Sequence, residues 1–240
     1  MGLLLVRLFP SASPMMPTLA IVIVSYNVRE LLRACLASLY ASLARTPELA
    51  AEVWVVDNAS ADGSADMVAT AFPAAVLVRS PQNLGYTAGN NVALQALGFA
   101  PLHGEAKSLD SYAWAAAVPR RSEPPQLVWL LNPDTEVQGD AARQLVQFLA
   151  AQPAAGACGA QLAYADGSFQ QGAFRFPGLL QIAFDFFPPP GRLNQPVLAS
   201  RWNGRYAQAL YERGAPFAVD FVLGATLLVR SDALTQVGLL

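Results

Sequence analysis

Histidine and cysteine are scarce in this chain of 240 residues, and their scarcity excludes several kinds of chemistry. His103 is the only histidine, so a serine or cysteine nucleophile paired with a histidine base would depend on that one residue. Cys35 and Cys158, the only cysteines, lie far apart without a Cys-x-x-Cys pair, which argues against a disulfide framework or a zinc cage. A reducing, cytoplasmic compartment is predicted, and catalysis is expected to use carboxylates, a metal ion or both.

Charge is also low. Charged residues make up 13% of the chain, about half of the roughly 25% usual in soluble domains. Lysine and arginine number 15 against 17 acidic residues, which gives a net charge of -2 and no general attraction for nucleic acid. The apolar share of 54% excludes a disordered chain and is large enough for a sizeable core.

A long hydrophobic run at the start of the chain is missing. The first five residues are apolar, but Arg7, Pro10 and Pro14 interrupt them well before the ~20 residues that a membrane span needs. The order of charge and apolar residues does not suit a signal peptide either. Residues 1–16 are predicted to be a loose extension, and residues 17–240 the folded domain.

What the sequence does contain is an alternation of strand and helix patterns. Leu19–Ser25 is an uninterrupted β-branched run, typical of a strand covered on both faces. Further strands are predicted at residues 52–57, 76–79 and 127–131, and helices begin at a capping Asn27 and near residues 64, 90 and 140. This order predicts an α/β, Rossmann-like fold with a mostly parallel sheet and helices on both faces.

Two regions depart from the alternation. Residues 98–126 are rich in proline and show no sustained period, so they are predicted to be an inserted, mobile surface segment with one short helix near residues 111–117. After residue 158 the pattern predicts a hairpin around residues 159–169, a phenylalanine-rich stretch, strands at 219–223 and 225–230, and a helix capped by Ser231.

Polar residues follow each of the first four predicted strands. In a parallel sheet these carboxyl ends share one edge, where ligands bind. Each residue also has a purely structural interpretation, because Asp, Asn and Gly are the usual formers of turns and helix caps. No Gly-x-Gly-x-x-Gly or Walker sequence is present, so a dinucleotide cofactor and a phosphate-binding loop are not indicated.

Taken in order, these strand ends carry five motifs. They are Val-Ile-Val-Ser-Tyr-Asn ending at Asn27, Val-Val-Asp-Asn-Ala-Ser ending at Ser60, Asn-Leu-Gly-Tyr-Thr-Ala-Gly-Asn-Asn ending at Asn91, Leu-Leu-Asn-Pro-Asp-Thr ending at Thr135, and Gly-Ala-Thr ending at Thr226. The series resembles the family 2 glycosyltransferases, and most of all their rhamnosyltransferase-like branch. The resemblance covers roughly residues 18 to 240 and implies a GT-A fold, a nucleotide-diphosphate sugar donor and inverting transfer.

The resemblance also implies roles for individual residues. The residues implied to bind the donor are Ser25, Tyr26, Asn27, Asp57, Asn83, Gly85, Asn132 and Asp134. Asp57 would accept a hydrogen bond from the base. Asp134 would hold Mg²⁺ or Mn²⁺ against the diphosphate as the last acid of an Asp-x-Asp motif. Asn132 stands where that motif has its first acid, so metal binding is expected to depend on the donor phosphates.

The catalytic base that the resemblance implies is not visible in this sequence. In the family it follows the last motif, just beyond the glycine that corresponds to Gly238, whereas this sequence ends at Leu240. The domain is therefore expected to be truncated at its C-terminus, and Asp220 is the nearby acid that could substitute as base.

Three interpretations remain open at this point; one of them is a structural α/β domain that serves only as a partner for other chains and binds no nucleotide, and the other two involve a nucleotide sugar. The first of these two is a metal-dependent glycosyltransferase that moves a sugar, rhamnose for this branch, to a polysaccharide or lipid-linked acceptor in cell-wall synthesis. The second is a nucleotide-sugar-binding module without transfer activity. The phenylalanines at residues 184–187 further suggest peripheral contact with the inner face of the membrane.

Overall fold

A computed structural model of the chain describes residues 18–102, 107–187, 190–193, 197 and 200–240. The predicted extension at residues 1–16 and His103 lie outside these described residues.

The centre of the fold is a six-stranded sheet in the order β3-β2-β1-β4-β10-β5. Its strands are β1 (Leu19–Ser25), β2 (Ala51–Asn58), β3 (Val76–Ser80), β4 (Leu127–Leu131), β5 (Ala157–Cys158) and β10 (Thr226–Arg230). Strands β1 to β4 are parallel to one another, and β10 runs antiparallel to its two neighbours, β4 and β5. The predicted α/β fold with a mostly parallel sheet is confirmed.

Helices cover both faces of this sheet. They are α1 (Arg29–Ala44), α2 (Ser64–Ala71), α3 (Gly85–Ala96), α4 (Ala141–Ala151) and, after β10, α7 (Ser231–Val237). Alternate residues of β1 enter two different cores, with Ile21 packing among residues of α1, α2 and α4, and Val22 among residues of α3. Burial of both faces explains why the β1 sequence is apolar throughout.

A smaller lobe follows β5. It contains β6 (Leu162–Ala163), β7 (Phe169–Gln170), β8 (Ala173–Phe174), α5 (Leu179–Phe186), α6 (Gln208–Glu212) and β9 (Phe221–Val222). Strands β6 and β7 form the predicted hairpin, and β8 pairs with β9. Its own small core packs Tyr206 and Tyr211 against Phe217.

The predicted start of α1 is wrong. Asn27 does not cap the helix, because its backbone is left-handed (φ 54°) and its Oδ1 accepts a hydrogen bond from Ala61 N at 2.7 Å. The first helical N–H, that of Arg29, donates instead to Asp62 Oδ2 at 2.8 Å. The carboxylate of Asp62 also accepts from Ser64 N and Oγ, so one residue caps α1 and α2 together.

Helix α3 also begins earlier than predicted, at Gly85 rather than Asn90. Residues 85–89 therefore belong to the first turns of this helix. Gly89 lies in that helix because a Cβ there would come within 2.8 Å of Val24 Cγ1. A close approach of helix to strand is one of the uses of glycine that local propensity does not reveal.

The segment at residues 98–126 differs from the predicted surface insertion in its described part. It forms two 3₁₀ turns, Leu109–Ser111 and Ala113–Ala117, and the side chains of Leu109 and Ala115 are buried in the α3-side core. Gln95 of α3 holds it by two hydrogen bonds, to Lys107 O at 3.0 Å and from Leu109 N at 2.7 Å. Apolar side chains at irregular spacing can still complete a core, so the lack of a period was misleading.

Candidate functional site

The parallel strands bring the predicted motifs to one edge of the sheet. Ser25 and Asp57, the residues at which β1 and β2 approach their ends, are direct partners in the strand register. Strand β4 is parallel to β1, so the loop that begins at Asn132 leaves from the same edge. Strand β10 is antiparallel and enters the sheet there, with Thr226 paired to Leu131.

A cavity of ≈ 370 Å³ opens at this edge. It is lined by Val24, Tyr26, Val28, Leu31, Asn58, Asn83, Gly85, Tyr86, Asn132, Pro133 and Asp134. Five of the predicted site residues are thus brought together from three separate loops: Tyr26, Asn83, Gly85, Asn132 and Asp134. Ser25, Asn27, Asp57 and Asp220 are not among the lining residues.

Three polar atoms at this edge of the sheet are buried without a hydrogen-bond partner among the described residues: Ser25 Oγ, Asp57 Oδ1 and Asn132 Oδ1. Ser25 is fully buried and Asp57 is 4% exposed, while the other carboxylate oxygen of Asp57 accepts from Ser60 N at 3.1 Å. Buried polar atoms are nearly always satisfied, because leaving one unpaired costs about 1–3 kcal/mol. Unpaired oxygens on adjacent strand ends are what a site for a hydrogen-bonding ligand requires.

Asn58 holds the loop before α3 against β2. Its Nδ2 donates to Gly85 O at 3.0 Å, and its Oδ1 accepts from Leu84 N at 3.3 Å. Asn83 Oδ1 accepts from Gly85 N at 2.9 Å, and Gly85 has the positive φ of 80° that glycine adopts without strain. Sequence reasoning assigned Asn58 no site role, although it lies in the same strand-end motif as Asp57.

Tyr86 was also missed. Its hydroxyl donates to Gly224 O at 3.1 Å and so connects α3 to the chain entering β10. Burial raises the pKa of Tyr86, which keeps the phenol protonated as a donor at neutral pH. Its place between Gly85 and Gly89 in the third motif was the available signal.

The loop after β4 is held from two sides. Asn132 N donates to Ala225 O at 3.0 Å, and Cys35 Sγ donates to Asn132 O at 3.5 Å. Burial raises the pKa of the Cys35 thiol to about 12, and the nearby negative charge of Asp134 adds to the rise. Cys35 is thus a core residue on α1 that supports the loop, and the carboxylate of Asp134 is exposed at its tip.

The oxygen atoms of this loop suit a hard divalent cation. Asp134 offers a carboxylate and Asn132 an unpartnered amide oxygen, both of which are ligand types of Mg²⁺ and Mn²⁺. Within the part of the chain that the structure describes, no group of three or more His, Cys, Asp or Glu side chains could hold a metal alone. The residues present therefore fit a cation whose remaining ligands come from bound phosphates and water.

Two predicted residues have other contacts. Asn27 donates from its N to Ser60 Oγ at 3.0 Å and shapes the loop after β1. Asp220 lies in the small lobe, where its carboxylate accepts from Phe176 N at 2.9 Å and from the Tyr206 hydroxyl at 3.2 Å. Its suggested role as base stays a prediction.

The N-terminal part of the chain, which contains three of the strand-end motifs, matches a known protein family. Residues 20–97 match the family model described as glycosyl transferase family 2. The matched segment runs from β1 to the end of α3, about a third of the chain, and contains the Tyr26, Asp57 and Asn83 motifs but not Asp134. No curated protein matches the sequence.

Several solved structures are similar at low sequence identity. The mannosyltransferase PcManGT from Pyrobaculum calidifontis, in complex with GDP-Man and Mn²⁺, is 21% identical with a TM-score of 0.46 over 63% of this chain and 37% of its own. S. aureus TarS 1-349 is 15% identical with a TM-score of 0.49 over 91% of this chain and 48% of its own. TarS 1-349 in complex with UDP-GlcNAc is 16% identical with a TM-score of 0.43 over 65% of this chain and 38% of its own. The chain thus spans less than half the length of these proteins.

Proposed function

We propose that this chain is the donor-binding region of a glycosyltransferase of family 2, acting on a nucleotide-diphosphate sugar. The observation that carries the proposal is the set of unpartnered buried oxygens at the carboxyl edge of the sheet, Ser25 Oγ, Asp57 Oδ1 and Asn132 Oδ1, together with the cavity that opens at the same edge and that Asn132 lines. Two of these three residues lie in the segment that matches the family model. A nucleotide sugar supplies the N–H and O–H donors that such oxygens need.

The base and ribose would bind on the β1 and β2 side of the cavity. Asp57 Oδ1 would accept from an N–H of the base, an interaction that repays the burial of this carboxylate oxygen. Tyr26 is 48% exposed beside the cavity, so its ring is available to stack on the base. Asn83 and Gly85 would allow the backbone to pass close to the nucleotide.

The diphosphate would bind on the β4 side, near Asp134. Asn132 and Asp134 would hold Mg²⁺ or Mn²⁺ there, and the cation supplies stabilisation of the negative charge that grows on the leaving diphosphate. The loop is positioned for this task by Ala225 and Cys35, which fix the backbone of Asn132 from opposite sides.

We further propose inverting transfer, with rhamnose as the sugar and a polysaccharide or lipid-linked glycan as the acceptor in cell-wall synthesis. An acceptor hydroxyl attacking from the face opposite the leaving group needs a carboxylate base, for which Asp220 is the proposed residue. Both cysteines are free, which agrees with the proposed cytoplasmic site of action.

A second function, nucleotide-sugar binding without transfer, is favoured by the contacts of Asp220. Both of its carboxylate oxygens already accept hydrogen bonds from protein donors, so these oxygens have a structural role within the small lobe. Turnover of a donor sugar separates this function from the first, since both predict the same binding.

The test is calorimetry of the full chain with UDP, GDP and dTDP, each with and without Mn²⁺. Asp57→Asn is expected to weaken all binding of the preferred nucleotide by about tenfold, because it replaces a charged acceptor by a neutral amide. Asp134→Asn is expected to remove the Mn²⁺-dependent part alone. Glu123→Gln, at an exposed position outside the cavity, is the matched control and should bind as the wild type does.

The results decide between the proposals. Binding together with release of nucleotide from a sugar donor supports the transferase, and binding without release supports the binding module. The proposed function is wrong if none of the three nucleotides binds, or if Asp57→Asn and Glu123→Gln bind alike.

A further inference from the structure

Helix α5 in the small lobe presents its apolar side chains to solvent. Leu179 is 87% exposed, Phe186 75%, and Phe187, directly after the helix, 80%. Leu179, Ile182 and Phe186 are spaced three and four residues apart, which places them on one stripe of the helix. Such a concentration of exposed apolar surface on one short segment marks an interaction site.

The polar side chain of Gln181, on α5, packs against the protein instead. Gln181 packs beside Gly204, and its Oε1 is buried, without a partner among the described residues. An ordinary surface helix buries its apolar stripe and exposes its amides, so the orientation of α5 is reversed. The reversal indicates that the outward stripe is meant for an apolar environment.

The sequence around α5 is rich in positive charge. Between Arg175 and Arg213 the sequence holds five arginines against two acidic residues, whereas the rest of the chain holds ten basic residues against fifteen acidic ones. Arg192 follows the helix on the exposed surface, and the guanidinium of Arg175 lies over the Tyr206 ring at 4.9 Å. The stretch from Arg175 to Arg213, which contains α5, is therefore cationic in a chain that is otherwise anionic, while the whole lobe, with Asp166 and Asp220, holds five arginines against four acidic residues.

We infer that α5, with Phe176 and Phe187 at its two ends, docks on an anionic lipid surface. Apolar side chains that enter the acyl boundary and arginines that bind lipid phosphates are the two attractions that hold an interfacial helix. With eight residues, α5 is about 12 Å long and lies along the surface. Nowhere in the described ranges is there a helix with both the length and the apolar character to cross a bilayer.

Charge complementarity selects lipid over a second copy of the chain. Two copies meeting at this lobe would oppose their arginines, whereas an anionic bilayer pairs with them. Without the lobe, the negative remainder of the chain would be repelled by such a bilayer. The inference rests on surface composition and is independent of the proposed donor chemistry.

Flotation of the full chain with vesicles tests the inference. The wild type is expected to float with vesicles of phosphatidylcholine and phosphatidylglycerol, and far less with phosphatidylcholine alone. Phe186→Ser with Phe187→Ser should lower the partition coefficient by about tenfold or more, because two exposed aromatic rings are then no longer available to enter the acyl boundary. Val237→Ser is the matched control, because Val237 is 73% exposed on α7, outside the small lobe.

A charge variant tests the second attraction. Arg192→Glu should reduce flotation on anionic vesicles, while Arg45→Glu, exposed at the end of α1, serves as its control. Failure of the wild type to float, equal flotation of the serine double variant, or a dimer in sedimentation that this double variant dissociates would each overturn the inference. Nucleotide calorimetry on the same double variant shows whether its donor site is intact, so the two proposals fail separately.

Discussion

Asn58→Asp is the most direct test of how the site is built. The buried amide of Asn58 donates to Gly85 O at 3.0 Å, and Asp keeps its shape but replaces the donor by an oxygen. At neutral pH two oxygen atoms would then face each other across that distance. The other bond, from Leu84 N at 3.3 Å, can persist.

The size of the effect follows from burial, because Asn58 is 2% exposed. Loss of the bond costs about 1 kcal/mol, and a buried carbonyl left unpaired beside a buried charge adds roughly 2 kcal/mol or more. We expect the free energy of unfolding to fall by about 3 kcal/mol at pH 7.5 in urea titrations followed by tryptophan fluorescence. Nucleotide affinity should fall with it, because the loop bearing Gly85 is then held to β2 by one side-chain bond instead of two.

The pH dependence of the destabilisation is a second, independent test of Asn58→Asp. Burial and the facing carbonyl would raise the pKa of the introduced carboxyl in the folded state, so the destabilisation is greatest above that pKa and shrinks as the pH falls. Gln95→Glu is the matched control, since Gln95 makes the same two kinds of backbone contact at a less buried position. A loss below about 0.5 kcal/mol for Asn58→Asp, or equal losses in both variants, would refute the reasoning.

Three further predictions concern the supporting structure. Hydrogen bonding, led by that from Ser64 Oγ, lowers the pKa of Asp62. The ionised carboxylate therefore stabilises the fold above the unfolded pKa, and this stabilisation is lost as the pH falls through the folded pKa. Asp62→Asn should lower the free energy of unfolding by about 1 kcal/mol near neutrality and flatten the acid limb of a profile of melting temperature against pH. Cys35, buried with a pKa of about 12, should resist alkylation at pH 8 by mass spectrometry until the chain unfolds, and rapid labelling of the native protein would contradict its burial. Gly89→Val should destabilise by about 1–3 kcal/mol in urea because it overpacks against Val24, whereas Gly178→Val, with open space at the Cβ, should change stability much less.

Local sequence patterns were sufficient to predict much of the central sheet. The runs of β1 and β4 were predicted with the bounds that the structure has, because strands buried on both faces leave an unbroken apolar signal. The same logic placed the polar motifs at one edge, since parallel strands joined by helices end on the same side. That edge now holds the cavity and five of the predicted residues.

Contacts between residues far apart in the sequence could not be predicted from local patterns. The cap of α1 comes from Asp62, 33 residues beyond Arg29, so the nearer Asn27 was mistaken for it. Asn58 and Tyr86 act through bonds to backbone atoms of other loops, and no local pattern distinguishes them from ordinary turn and helix residues. Their positions in the motifs were visible, but their partners were not.

By itself the sequence determined the order of strands and helices and the edge at which polar side chains collect, because periodicity and β-branched runs act within a few residues. Only the tertiary structure decided which oxygens at that edge are left unpaired, that residues 107–126 complete a core, and that α5 turns its apolar stripe outward. All three features depend on which surfaces come into contact after the chain folds. Whether a given atom is buried is decided by the folded structure and not by its neighbours in the sequence.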